Sequence, residues 1–316
     1  MGAARHPREG GDPRTAPHPV IPAKAGTHAR PDIHLPAMTH APTSTPTSPT
    51  LAFIGGGNMA TAILGGLVRS GTPGANLIVL DPNAEQRARL ERDFGVRTLA
   101  AADATLAQAD AVVWAVKPQS FKDAAAPCAP FVGGALHLSV MAGIRSDAIA
   151  AATGSERVVR SMPNTPALIG QGISGLYGRP AVSAAERAQV EAMLAPTGAV
   201  LWVAQESDLD AVTALSGSGP AYVFYFIESM MAAAERMGLS AEQGKQLALA
   251  TFGGATELAR RSDETPATLR ERVTSKGGTT YAALTTLDAR EVKASFVEAM
   301  LAAQNRAREL GDEFGR

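Results

Sequence analysis

Leu51-Ala52-Phe53-Ile54-Gly55-Gly56-Gly57-Asn58-Met59-Ala60 is the stretch on which the fold turns. Its four leading apolar residues read as a short buried strand, and Gly55, Gly57 and Ala60 match the pattern Gly-x-Gly-x-x-Gly/Ala. That pattern suits a dinucleotide. One glycine permits the tight turn, the next lets backbone approach a pyrophosphate, and the following helix aims its free N–H groups at the phosphates. The context agrees: an apolar helical stretch covers residues 60–68, Gly71 closes it, and Leu77-Ile78-Val79-Leu80 reads as a second strand. Asp81 then stands where an acidic residue meets a ribose hydroxyl.

Outward from this unit the alternation continues. Residues 84–94 form a polar-faced helix stopped by Gly95, and residues 96–99 a strand. Residues 111–116 and 136–140 are nearly continuous apolar runs, as strands covered on both faces are. Residues 157–161 and 199–203 add two more, and Ser183 with Glu186 forms a capping box for a helix ending near Ala195. Met162-Pro163-Asn164-Thr165-Pro166 is too proline-rich for helix and reads as a rigid turn. The expected fold class is therefore α/β, with a Rossmann-type doubly wound parallel sheet and ligand at the carboxyl ends of its strands. Lys117-Pro118-Gln119 and Met141-Ala142-Gly143 follow two such ends, and their small residues suit a cofactor lying against backbone.

After Gln205 the strand signals stop. Thr213-Ala214-Leu215-Ser216-Gly217-Ser218-Gly219-Pro220 leads into a long apolar helix over residues 221–237, with Pro220 suited to its first turn and Gly238 to its cap. Ser240 with Gln243 caps the next helix, Thr265 with Pro266 starts another, and the last runs over about residues 289–310. The domains expected are thus a Pro-rich disordered extension at 1–50, a dinucleotide-binding domain at 51–206 and an all-helical substrate and dimerisation domain at 207–316. The helices of this last part are apolar nearly all round, with Tyr222, Phe224, Phe226, Met230 and Met231 in one of them. Such helices need burial in a larger assembly, which points to an intertwined homodimer.

Composition excludes several classes. With 316 residues, 45% hydrophobic and 19% charged, the chain suits a soluble globular protein of about two domains. A net charge of -1 gives no electrostatic footprint for nucleic acid, and no apolar run is long enough to span a membrane. Cys128 is the single cysteine, so no internal disulfide forms and a reducing, cytoplasmic setting is expected. Five of the six histidines (His6, His18, His28, His34 and His40) lie irregularly spaced in the Pro-rich arm and read as solvated residues, not metal ligands. His137, inside an apolar run, reads as a core residue. No metal site and no histidine-based triad are expected.

One further stretch has the chemistry of an anion site. Val273-Thr274-Ser275-Lys276-Gly277-Gly278-Thr279-Thr280 runs into the helix-compatible Tyr281-Ala282-Ala283-Leu284. Paired glycines let successive N–H groups point inward, and the hydroxyls of Ser275, Thr279 and Thr280 add donors at a helix N-terminus. A carboxylate or phosphate fits such a loop; so does a plain Gly-Gly connection with a threonine cap.

Taken in order, residues 54–59, Ala115-Val116-Lys117-Pro118, Met162-Pro163-Asn164-Thr165-Pro166, Leu215-Ser216-Gly217-Ser218-Gly219-Pro220-Ala221-Tyr222 and residues 273–280 resemble the motif set of pyrroline-5-carboxylate reductases. The resemblance covers residues 51–316. It implies reduction of the cyclic imine 1-pyrroline-5-carboxylate to L-proline, the last step of proline biosynthesis, with NADPH or NADH. On matching positions, it implies that Gly55, Gly57, Asn58 and Met59 wrap the pyrophosphate. Ala115, Val116, Lys117, Pro118, Val140, Met141 and Ala142 would line the dinucleotide, with Asn164 beside them. Ser275, Gly277, Gly278, Thr279 and Thr280 would hold the substrate carboxylate, and Thr213 would hydrogen-bond the substrate nitrogen. Family members are obligate dimers, often arranged as decamers, with active sites drawing on both subunits.

Two positions depart from the family pattern. Lys276 stands where many relatives have proline, and Asp81 where a serine or similar residue often meets the 2′-phosphate of NADPH. A carboxylate there repels that phosphate and favours NADH, although Arg87 and Arg89 lie close enough in sequence to offset it. Two other readings compete. A related two-domain hydroxyacid dehydrogenase uses a lysine on the first helix of its second domain, and residues 220–237 contain none. A non-catalytic dinucleotide-binding sensor needs neither the carboxylate loop nor Thr213.

Overall fold

The computed structural model describes residues 49–314. The Pro-rich extension, except Pro49 and Thr50, and its five histidines lie outside the described residues.

The apolar runs form strands where their sequence suggests. In chain order, β1 is Leu51–Ile54, β2 Leu77–Leu80, β3 Arg97–Leu99, β4 Ala111–Trp114, β5 Leu136–Ser139, β6 Val158–Met162, β7 Gly172–Gly178 and β8 Gly198–Trp202. Among the described residues these make one sheet in the order β3-β2-β1-β4-β5-β6-β7-β8. All neighbours are parallel except β6 and β7. Register aligns Ile54 with both Leu80 and Trp114, and Trp114 with Ser139, so four strands end in one row.

Helices cover both faces because side chains alternate across each strand. Leu51, Phe53, Val79 and Val113 face α1 (Asn58–Arg69), α2 (Ala84–Phe94) and α5 (Ala184–Leu194) through Ile63, Leu64, Leu90 and Val190. Ala52, Ile54, Ile78 and Trp114 face α3 (Phe121–Val132) and α4 (Ser146–Thr153) through Phe121, Cys128 and Ile149. The capping box of Ser183 and Glu186 is present at α5.

β7 was not among the strands expected. Its sequence Gly172-Ile-Ser-Gly-Leu-Tyr-Gly178 has glycine where strands normally have branched residues, yet it pairs antiparallel to β6 and parallel to β8. Packing explains one of these glycines: a Cβ on Gly175 would lie 2.7 Å from Cγ1 of Val212, so the strand is bare there to admit the next helix.

That helix, α6 (Asp208–Val212), opens the helical part. It passes into a π-helical turn over Thr213–Gly217 and then into α7 (Gly219–Arg236), with Pro220 in its first turn as expected. α8 (Ala241–Arg261) starts at the capping box of Ser240 and Gln243, and α9 (Pro266–Arg272) at Thr265. α10 (Thr279–Ala289) and α11 (Val292–Phe314) finish the described chain. The final helix begins later and runs longer than expected, because Glu291 adopts φ 51° and breaks it from α10. Among the described residues no helix is long and apolar enough to cross a membrane.

Candidate functional site

The glycine turn is built by its neighbours. Gly55 has φ +97°, and a Cβ there would lie 2.7 Å from the Ala115 carbonyl oxygen, so only glycine fits between β1 and β4. Gly57 differs: a Cβ there would meet nothing within 4 Å, which leaves open space before α1. Gly57 caps α1 with no side-chain hydrogen bond, and the first turn holds no acidic residue, so its N–H groups stay available to an anion. These features fit the pyrophosphate of a dinucleotide.

A cavity of about 750 Å³ lies against this turn. It brings together Gly55, Gly57, Asp81, Ala115, Val116 and Lys117 of the expected cofactor residues. It also includes Ala100, Ala101, Ala102, Ser120 and Asp123, which sequence reasoning passed over. The three alanines follow β3, so position at a strand's carboxyl end was their one available signal. Asn58 and Met59 begin α1 beside the turn, and Pro118 begins a short 3₁₀ turn after Lys117.

Asp81 is tied into the turn. Its Oδ2 accepts from the Gly56 N–H at 2.8 Å and its Oδ1 from the Asn83 N–H at 2.8 Å. Arg87 donates through Nη1 to the carbonyls of Asp81 and Pro82 at 2.7 and 2.9 Å, and Arg89 reaches Thr61 Oγ1 at 3.4 Å.

Val140, Met141 and Ala142 follow β5. The Val140 N–H donates to the Trp114 carbonyl at 3.0 Å and the Met141 N–H to Ser139 Oγ at 3.3 Å; Met141 is buried and Ala142 exposed. Asn164 follows the carboxyl end of β6. Its Oδ1 accepts from the Ile173 N–H at 3.0 Å, its Nδ2 donates to Ser216 Oγ at 3.4 Å, and it lines a second cavity of about 720 Å³ with Leu215, Tyr222 and Phe296.

Thr213 is half-buried at the start of the π turn and donates its hydroxyl proton to the Leu209 carbonyl at 2.7 Å. The turn is closed by the Ser218 N–H on the Thr213 carbonyl at 2.8 Å, and Tyr222 donates its hydroxyl to the Ala214 carbonyl at 3.1 Å. π turns of this kind recur at functional sites.

The glycine loop before α10 has the expected form. Gly277 takes φ +74°, Gly278 is the N-cap of α10, and its N–H donates to the Ser275 carbonyl at 3.0 Å. The first turn of α10 has no acidic residue, and among the described residues the hydroxyls of Ser275, Thr279 and Thr280 make no hydrogen bond within the chain. Neither of the two cavities is lined by residues 275–280.

His137 is a core residue, as expected. It is fully buried in β5, accepts from Trp114 Nε1 at its Nδ1 at 3.1 Å, and stacks on that indole. Burial, and secondarily the charge of Arg157, push its pKa down to about 4. Among the described residues no group of three or more His, Cys, Asp or Glu is arranged to hold a metal ion.

Comparison with known proteins gives a consistent picture. Residues 206–310 match the family described as pyrroline-5-carboxylate reductase dimerisation, and residues 50–143 match NADP oxidoreductase coenzyme F420-dependent. A pyrroline-5-carboxylate reductase of Pseudomonas aeruginosa is 44% identical over 271 residues, covering 85% of this chain and 99% of the relative. One from Pisum sativum is 36% identical, covering 83% of this chain and 96% of the relative. A solved pyrroline-5-carboxylate reductase from Coxiella burnetii superposes with TM-score 0.77 at 34% identity, covering 83% of this chain and 98% of that one. The Plasmodium falciparum pyrroline carboxylate reductase, solved with NADP bound, gives TM-score 0.75 at 29% identity, with coverage of 83% and 98%.

Proposed function

The chain belongs to the pyrroline-5-carboxylate reductase family, and from that premise we propose that it reduces the imine carbon of 1-pyrroline-5-carboxylate with NADPH or NADH, giving L-proline as the last step of proline biosynthesis. The observation that carries the reading is the pairing of a glycine turn built for a pyrophosphate with a glycine loop built for a carboxylate. The hydroxyacid dehydrogenase and sensor readings find no support among these relatives.

The reduced nicotinamide supplies the hydride when bound; everything else falls to the chain. Gly55, Gly57, Asn58 and Met59 hold the pyrophosphate at the N-terminus of α1. Asp81, Ala115, Val116, Lys117 and Pro118 line the dinucleotide after β2 and β4, with Val140, Met141 and Ala142 after β5 and Asn164 after β6. Ser275, Gly277, Gly278, Thr279 and Thr280 hold the substrate carboxylate at the N-terminus of α10, where the helix dipole favours an anion. Thr213 acts on the ring nitrogen. Its proton already goes to the Leu209 carbonyl, so its oxygen faces the substrate as an acceptor. An acceptor suits the N–H of a protonated imine, which is also the better hydride acceptor. Thr213 thus orients an iminium and is not the acid that makes it. Holding both reactants in line supplies most of the acceleration.

The resemblance implies an active site that draws on both subunits, and on that reading a second copy brings its carboxylate loop to the glycine turn of the first. We assign the working unit as a homodimer formed through a helical domain at 207–316, joined to a dinucleotide-binding domain at 51–206. The family description of residues 206–310 and the exposed apolar helices support this. Further assembly to decamers, a cytoplasmic location and the lack of nucleic-acid or membrane partners complete the proposal.

The test measures oxidation of NADPH, and separately of NADH, on addition of 1-pyrroline-5-carboxylate to purified protein, with proline identified as product and mass measured by sedimentation. Turnover by a dimer or a multiple of it is expected. No turnover in folded, oligomeric protein would overturn the assignment.

A further inference from the structure

A seam of charge joins the segment after β5 to the helix that leads into Thr213. Arg145 donates through Nη1 and Nη2 to Oδ1 and Oδ2 of Asp210 at 3.2 and 3.0 Å, a two-pronged contact between side chains only 21% and 11% exposed. Its neighbour Ser146 donates its N–H and hydroxyl to the two oxygens of Glu206 at 2.7 and 2.6 Å. Arg160 of β6 donates to the same carboxylate at 2.8 Å. Burial alone would raise the Glu206 carboxyl, but the bonds from Ser146 and the charge of Arg160 together hold it below its ordinary value. Two adjacent residues thus grip two carboxylates four residues apart, one just before α6 and one within it.

The third side of the seam is α11. A Cβ on Gly311 would lie 2.5 to 2.7 Å from Nη2, Cζ and Nε of Arg145, so the guanidinium rests directly on helix backbone. Asp210 lies one turn before Thr213, and the Thr213 hydroxyl hangs on the carbonyl of Leu209, next to Asp210. Val140, Met141 and Ala142 stand a few residues before Arg145. The guanidinium therefore ties the loop that follows the segment proposed to line the dinucleotide to the helix that leads into the turn proposed to hold the imine nitrogen.

We propose that Arg145 is a positioning residue: its fork on Asp210, seated on Gly311, fixes the Thr213 turn against the Val140-Met141-Ala142 segment and so keeps the hydride donor and the imine in register. The assignment rests on the reading of those residues as the two sides of the reaction site. Arg145 touches neither substrate nor cofactor; it acts through Asp210. Lysine cannot replace it, because a single ammonium lacks the rigid fork.

Three forms of the full-length protein decide the matter: wild type, Arg145→Lys and Gly311→Ala. Gly311→Ala keeps both charges and pushes the guanidinium off its seat, so it stands in if Arg145→Lys fails to fold. For each, kcat, both KM values, the dissociation constant of the reduced dinucleotide, the primary isotope effect with cofactor deuterated at the transferred position, and Tm are measured. Small displacements at reacting centres cost up to about a hundredfold. The expected result is a kcat about tenfold lower or more in either variant, a larger isotope effect, and dinucleotide affinity within about twofold of wild type. An ion pair that only adds stability would lower Tm and leave kcat and the isotope effect unchanged, and that result overturns the proposal. Wild-type protein inert toward 1-pyrroline-5-carboxylate would instead overturn the reductase reading itself.

Discussion

Phe53 at the heart of the sheet has no accessible surface, whereas Tyr225 in α7 keeps 67% of its own and Leu258 in α8 keeps 60%. The contrast extends to whole elements. β1, β2, β4 and β5 are buried along their full length, while α7 buries only Ala234, α8 only Gly244 and Ala248, and α9 and α10 nothing. A sheet flanked by helices on both faces completes its own core; a set of apolar helices with no second layer does not. Exposed apolar area on that scale marks a surface that another chain covers. The sheet half buries its own core, and the helical half leaves its apolar side chains for a second chain to cover.

The largest effect should come from attacking that company. Buried interface anchors are worth about 2–4 kcal/mol each, so Tyr225→Glu with Leu258→Glu should weaken association by roughly a thousandfold or more. Sedimentation should show monomer, turnover should fall at least ~100-fold, and binding of the reduced dinucleotide to the sheet half should survive. A monomeric variant with full turnover would show that the helical face is not needed for the site.

The sheet half has a weakness of its own, independent of protein concentration. His137 titrates near 6.5 in the unfolded chain but at about 4 in the fold, where burial first and Arg157 second disfavour its charged form. Below 6.5 the unfolded chain binds a proton that the folded chain refuses, so stability falls with acid and the loss is complete near pH 4. A tenfold weaker hold on the proton is worth about 1.4 kcal/mol, giving roughly 3 kcal/mol in all. His137→Gln keeps an acceptor for Trp114 and removes this titration. Urea midpoints compared at pH 6.5 and pH 4.5 should therefore fall further in wild type than in the variant; equal falls would mean the buried imidazole is not the acid-sensitive group.

The same contrast governs what could be read from sequence. β1, β4 and β5 were legible because burial on both faces leaves a run of apolar residues, and helix starts were legible because Ser183, Ser240 and Thr265 cap through local hydrogen bonds. β7 was not, since Gly175 is there to let Val212 approach, and a glycine serving a distant contact looks like a turn. The π turn at Thr213 has no local signal, because Tyr222 and α11 packing support it from elsewhere. Of the candidate site, the backbone form of the two glycine segments was legible by motif: Gly55 and Gly277 take positive φ and each segment runs into a helix N-terminus. Arg145 on Asp210 was invisible, because 65 residues separate the two and neither belongs to a motif.

Thr213 tests how the helical half contributes to chemistry. Removing a hydrogen bond to a charged group costs about 1.5–3 kcal/mol, so Thr213→Val should lower kcat by roughly 10- to 100-fold. Dinucleotide affinity should not change, because the residues proposed to hold it lie in the sheet half. On the proposed role the hydroxyl accepts from the substrate and does not protonate it, so the pH profile of kcat/KM should keep its shape in the variant. A profile that loses one limb would make Thr213 an acid after all.

The smallest effect should fall on cofactor choice, which lies wholly within the sheet half. Asp81 is locked by the N–H groups of Gly56 and Asn83, so its carboxylate cannot swing away from an incoming ribose. Arg87, the nearest cation able to offset it, spends Nη1 on the carbonyls of Asp81 and Pro82. A 2′-phosphate brought to this corner meets an immobile negative charge, whereas a 2′-hydroxyl meets an acceptor. NADH should therefore be preferred, and Asp81→Ser should raise the ratio of kcat/KM for NADPH over NADH by about tenfold, on the order of 1.4 kcal/mol. The KM for 1-pyrroline-5-carboxylate should stay constant, since the loop proposed to hold that substrate lies in the helical half. A ratio unmoved by Asp81→Ser but lowered by Arg87→Ala would mean that the guanidinium leaves its carbonyls when phosphate arrives. In that case the corner selects its cofactor by rearrangement and not by a fixed charge.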